Sequence, residues 1–145
     1  MEIAIIADDT KKELMTQFCI AYCGILSHHH LCATQTTGRY IAEATGLEID
    51  AVLPGDIGGM EQILSRVSYN EIDMLLYFRD SVSDEPESET ERMLLRECDS
   101  NNVPLATNIA TAEVLVLALE RGSLDWREIV NPRSEYNRRR RGQLG

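Results

Sequence analysis

Long apolar runs are missing from this sequence. Its most continuous ones, VLVLAL (Val114 to Leu119) and IDMLLYF (Ile72 to Phe78), stop far short of the roughly 20 residues that cross a bilayer as a helix. The opening MEIAII carries an acid and no cation, so no secretory leader is expected and a cytoplasmic location is the expectation. Basic residues are scarce, 14 Lys and Arg against 24 Asp and Glu, for a formal charge of −10. Setting aside the four arginines of RRRR (Arg138 to Arg141) leaves −14 on the remainder. A body of that sign disfavours nucleic acid, whose phosphates recruit Lys and Arg. The arginine run reads as a solvated terminus, with an RNA, DNA or acidic-protein contact as the alternative. The four cysteines (Cys19, Cys23, Cys32, Cys98) form no C-x-x-C pair. Cys19 and Cys23 share a helical face near HHH (His28 to His30), where a metal is conceivable. Buried free thiols in a reducing compartment are the simpler reading, and no metal or cofactor is expected.

What is present is a regular alternation. With 145 residues, 43% apolar, the chain fits one ordinary domain. EIAIIA (Glu2 to Ala7), LCAT (Leu31 to Thr34), IDAVLP (Ile49 to Pro54), IDMLLYF and VPLAT (Val103 to Thr107) read as buried strands,. Between and after them, apolar residues recur at helical spacing, as at Leu14, Phe18, Ala21, Tyr22 and Ile25, and helices stop at Gly46 and Gly122,. This predicts an α/β fold of three α/β/α layers around a five-stranded parallel sheet. One domain over residues 1–125 is expected, followed by a loosely docked extension, 126–145, that carries the arginine tail,. The segments that follow the strands, ADD, ATQTTG, LPGDIGG, FRD and ATN, should converge at the carboxyl edge of the sheet, where such folds bind ligands. Thr34, Thr36 and Thr37 offer hydroxyls at a helix start, Gly55, Gly58 and Gly59 permit close backbone approach, and Lys12 supplies an ammonium. Together they suit a small phosphorylated molecule, although threonines before helices are also plain caps.

The motifs IAIIADDTKK, LCATQTTG, LPGDIGGMEQ, YFRDSVSDEPES and VPLATNIATAE occur in order. Together they resemble methylglyoxal synthase from about Met1 to Asp125. The resemblance implies the same three-layer fold, a homohexamer, and conversion of dihydroxyacetone phosphate to methylglyoxal and phosphate. It also admits an effector-binding role, as in related domains of carbamoyl-phosphate synthetase and a purine-biosynthesis enzyme. A carboxylate must remove a proton beside the ketone, and donors must hold the oxyanion and the departing phosphate. The resemblance places phosphate ligands at Lys12, Thr34, Thr36, Thr37 and Gly55, with Asp8, Gln35, Pro54 and Glu87 also on the substrate site, and a retained aspartate, Asp80, as a catalytic residue.

Several positions depart from that pattern. Met60 stands where the resemblance calls for the catalytic aspartate, and Asp8 and Glu87 stand where it calls for histidines. Thr90 replaces an aspartate, Gln35 replaces the loop's second residue, and Pro54 and Asp56 flank Gly55. Glu61 adjoins Met60, yet successive helical residues point about 100° apart. A thioether removes no proton, and Asp8 beside a phosphate adds about 4 kcal/mol of repulsion at about 4 Å for an effective dielectric near 20. The expectation is therefore a metabolite-binding or regulatory homo-oligomer that retains the phosphate site, with little or no lyase activity. The alternative is an active synthase using a rearranged acid/base set drawn from Glu61, Asp8 and Glu87. A different lyase or isomerase acting on another phosphorylated ketone is a third reading. Asp8, Asp56 and Asp80 could also gather a magnesium ion, against which stands the plainer reading of solvated acids.

Overall fold

In a computed structural model that describes residues 1–144, the strands are β1 (Glu2–Ala7), β2 (His30–Thr34), β3 (Ile49–Val52), β4 (Met74–Phe78) and β5 (Leu105–Ala106). They form one parallel sheet in the order β3-β2-β1-β4-β5. The chain winds outward from β1 to β3, then returns to place β4 on the other side of β1. The switch of direction therefore falls between β1 and β4, where open α/β sheets leave a crevice at their carboxyl ends.

The helices are α1 (Lys12–Ala21), α2 (Cys23–Leu26), α3 (Gln35–Thr45), α4 (Gly59–Ser68), α5 (Glu89–Ser100), α6 (Ile109–Glu120), α7 (Arg127–Val130) and α8 (Glu135–Leu144). Strand alternation sorts the core into two layers. Ile3, Ile5, Leu76 and Phe78 face α1, α3 and α6, where Met15, Phe18, Ile41 and Val116 are buried. Ala4, Ile6, Leu75 and Tyr77 face α4 and α5 and meet Ile63, Val67, Leu94 and Cys98. The helix expected from the apolar spacing of Leu14 to Ile25 is broken at Tyr22 into α1 and α2. Gly46 closes α3 at φ 76°, a left-handed conformation that a side chain resists,.

Gly59 is required for space. A Cβ there would stand 1.9 Å from the carbonyl oxygen of Leu53, so the turn that launches α4 cannot accept one. Gly59→Ala should lower stability by about 1–3 kcal/mol or more, since overpacking forces the backbone to move. Urea unfolding with an unchanged midpoint would contradict this.

The final segment, expected as a loosely docked extension, is anchored at its start by Arg127 and Asn131. Arg127 is completely buried below the amino ends of the strands. Its Nε donates to Asp73 Oδ1 at 3.2 Å, Nη1 to the Asn101 carbonyl at 3.1 Å, and Nη2 to Asn70 Oδ1 and the Ile72 carbonyl at 2.7 and 2.8 Å. Asn131, also fully buried, adds a bond from Nδ2 to Asp73 Oδ1 at 3.0 Å. The polar hub is satisfied on every side, as a buried ion pair requires.

Candidate functional site

A cavity of about 1270 Å³ opens at the carboxyl edge, over the ends of β1 and β4. Its volume exceeds the roughly 300–1,000 Å³ usual for small-molecule sites. The backbone builds its floor, with the Asp8 N–H donating to the Phe78 carbonyl at 3.0 Å and tying the strand ends together. The Asp80 N–H then donates to Asp8 Oδ2 at 2.7 Å. Asp8 Oδ1 has no protein partner among the described residues. Asp80 differs: Thr10 Oγ1 and the Val82 N–H, each at 3.0 Å, occupy its two oxygens. Asp80 thus fixes the loop, whereas Asp8 is held through one oxygen alone.

One wall supplies donors. Lys12 Nζ donates to the Ala7 carbonyl at 3.1 Å and to Asp9 Oδ1 at 2.6 Å, leaving the ammonium a third proton. That bond and the lysine charge hold the Asp9 carboxyl below its usual range. Thr34 Oγ1 donates to Thr37 Oγ1 at 3.3 Å inside the fold, and Thr36 lines the cavity. Above them, the start of α3 presents first-turn amides that no helical carbonyl can satisfy,. Gly55 closes this wall, because a Cβ there would lie 3.8 Å from both Thr34 Cγ2 and Met60 Cγ.

The opposite wall is acidic and internally tied. Tyr77 donates its hydroxyl proton to Glu91 Oε1 at 2.6 Å, and Arg79 Nε approaches the same oxygen at 3.4 Å. Arg79 also pairs with Glu87 Oε1 at 3.5 Å. Glu87 therefore stands beside a cation that offsets part of the repulsion a bound phosphate would meet there. Burial, the bond to Glu91 and the nearby Asp8 charge push the Tyr77 hydroxyl well above its usual range, so it stays protonated.

Of the residues singled out from sequence, Asp8, Lys12, Thr34 and Thr36 line the cavity, as do Pro54, Gly55, Met60, Asp80 and Glu87. Gln35, Thr37 and Glu61 do not. Gln35 uses its N–H on the Leu53 carbonyl at 3.4 Å, Thr37 supports Thr34 from beneath, and Glu61 accepts from Thr90 Oγ1 at 3.1 Å on the exposed side. Sequence reasoning missed Tyr77, Arg79 and Glu91. Their only signals were a hydroxyl at the end of an apolar run and an acid three residues after Ser88.

No group of three or more His, Cys, Asp and Glu among the described residues stands where it could hold a metal ion. Asp8, Asp56 and Asp80 are thus not assembled as a magnesium site. The histidines lie at the far, amino edge, where His29 Nδ1 is 3.1 Å from the Met1 amino group. Burial and that amino group lower the His29 pKa to about 4. Burial raises Cys19 and Cys98 to about 12 and Cys32 to about 11, as inert packing thiols behave,. Among the described residues no helix is long and apolar enough to cross a membrane.

Residues 16–107 match the family model described as MGS-like domain. The chain is 58% identical over 138 residues to the methylglyoxal synthase of Caldicellulosiruptor saccharolyticus, covering 95% of this chain and 98% of that relative. The chain belongs to the methylglyoxal synthase family. A second family member, the methylglyoxal synthase of a Thermoanaerobacter species, is 50% identical over 129 residues, covering 89% of this chain and 98% of its own length. The crystal structure of methylglyoxal synthase from Elizabethkingia anophelis NUHP1 superposes with a TM-score of 0.74 at 33% identity. That superposition covers 79% of this chain and 76% of the other. The three-layer architecture with its parallel sheet is thus the family's own.

Proposed function

We propose that the protein is a working methylglyoxal synthase, a carbon–oxygen lyase that eliminates phosphate from dihydroxyacetone phosphate. One observation carries the reading: Asp8, with one oxygen fixed and the other free, stands in the same cavity as Lys12 and Thr36. The relatives' names support it. The substrate's phosphate sits against the third proton of Lys12, the Thr36 hydroxyl and the first-turn amides of α3, with Gly55 allowing close approach. Asp8 Oδ1 removes a proton from the hydroxymethyl carbon beside the ketone and delivers it to the ketone oxygen, giving an enediol phosphate. The carbon–oxygen bond to phosphate then breaks, and the electron pair leaves with the phosphate, held by the same cradle. The enol released tautomerises to methylglyoxal, and water attacks at no step.

Met60 favours a second reading. A thioether lines the cavity beside Gly55, where the resemblance calls for a proton acceptor. On that ground the cavity would bind the phosphate without turning it over, as a regulatory module does. A direct assay decides between them: purified protein is mixed with dihydroxyacetone phosphate and methylglyoxal is followed. Turnover within about tenfold of the roughly 10 s⁻¹ typical of enzymes supports the lyase. Phosphate binding without turnover supports the second reading, and neither binding nor turnover overturns both.

A homo-oligomer, the hexamer implied by the resemblance, is part of the same proposal. Apolar residues surround α6, and Val114 and Leu117 remain exposed on its outer face. A helix apolar on all sides belongs between packed layers. The cytoplasm is the proposed location.

A further inference from the structure

Glu91 occupies the third helical position after the cap Ser88, whose Oγ accepts from the Glu91 N–H at 3.1 Å. In the sequence pattern Ser-x-x-Glu the glutamate ordinarily reaches back to the cap's own N–H. Here Oε1 turns instead into the cavity, to the Tyr77 hydroxyl and Arg79. The reciprocal half of the cap is forgone for a contact across two elements, with β4 supplying the phenol and α5 the carboxylate. Because the Tyr77 proton is directed at Glu91, the phenol oxygen has only lone pairs left to offer a ligand. Tyr77 lines the cavity together with Asp8 and Met60, on the wall opposite the donors that suit a phosphate.

We propose that Tyr77 accepts a hydrogen bond from the substrate's terminal hydroxyl and, through Glu91, carries that hydroxyl's proton away as phosphate leaves. This rests on the proposed lyase function and deepens it. In that reaction the hydroxyl of the enediol phosphate must become the aldehyde carbonyl of methylglyoxal. Its O–H bond breaks while the carbon–phosphate oxygen bond breaks. The proton passes to the Tyr77 oxygen, the original Tyr77 proton passes to Glu91, and the electron pair departs with phosphate, which takes a proton from the Lys12 ammonium. Glu91 then returns its proton through solvent to Lys12. Charge and atoms balance without a further reactant. Arg79 holds Glu91 in place at the end of the relay. The ligand class that follows is a phosphorylated hydroxymethyl ketone, in preference to a phosphorylated methyl ketone of the same length.

The test compares dissociation constants for dihydroxyacetone phosphate, for hydroxyacetone phosphate (which lacks the terminal hydroxyl) and for inorganic phosphate. Wild-type protein should prefer the hydroxylated ketone by about tenfold or more, because a site built around a hydroxyl rejects the analogue lacking it. Tyr77→Phe should bring the two ketones to within about twofold and leave inorganic phosphate binding intact. Glu91→Gln keeps a hydrogen-bond partner for Tyr77, so it should retain the preference while losing about 100-fold in kcat. An unchanged preference in Tyr77→Phe, or a wild-type kcat in Glu91→Gln, overturns the relay alone. Failure of the wild type to bind all three compounds overturns the relay and the lyase reading together.

Discussion

Arg127→Ala should cost the protein about 3–5 kcal/mol, the range for breaking a buried ion pair by removing one partner. The guanidinium is wholly buried and makes four hydrogen bonds, two of them to main-chain carbonyls. Its removal leaves the Asp73 carboxylate, which is 3% exposed, with only Asn131 and the Glu2 N–H as partners. A drop of that size lowers the melting temperature by about 10 °C or more for a domain of this length. Arg139→Ala is the contrast. Arg139 pairs with Glu135 on an exposed turn of α8, and such surface pairs contribute about 0–1 kcal/mol. Calorimetry that found the two variants equally stable would contradict the hub.

Asp8→Asn should reduce kcat by about 10²–10⁴-fold, the usual contribution of a general base. Inorganic phosphate should bind at least as well, since the substitution removes a negative charge from the cavity. The pairing of a lost kcat with a retained anion site separates proton removal from simple collapse of the pocket. Two other acids of the cavity, Asp80 and Glu87, are poorer candidates. Both oxygens of Asp80 are occupied by Thr10 and Val82, and Glu87 leans on Arg79. Glu61 lies outside the cavity, bonded to Thr90. Comparable turnover in wild type and Asp8→Asn would remove Asp8 from the mechanism.

The fold was legible because its signals are repeated. Every strand is an apolar run between turn residues, and the parallel order follows from the alternation with helices. The donor half of the cavity was legible for a similar reason: Lys12, Thr34, Thr36 and Gly55 sit at fixed offsets from strand ends. The acceptor half was not. Tyr77 reads as one more residue of an apolar strand, and only the contact with Glu91, 14 positions later, gives its hydroxyl a role. Glu91 itself falls in an acidic stretch whose composition suggests solvent. Arg127 was hidden more thoroughly. An arginine close to an arginine-rich tail gives no local sign of burial, because its partners lie 26 to 57 residues away. The break at Tyr22 was also silent, since apolar spacing continues across it.

The polarity of the sheet separates what holds the molecule together from what it does. The buried guanidinium secures the amino ends of the strands, and the cavity opens at the carboxyl ends. Side chains on the rim can therefore be exchanged with little effect on folding. A library randomised at the exposed rim positions 56 and 85 should yield mostly foldable members, making this chain a ready chassis for new lyases or sensors of phosphorylated sugars.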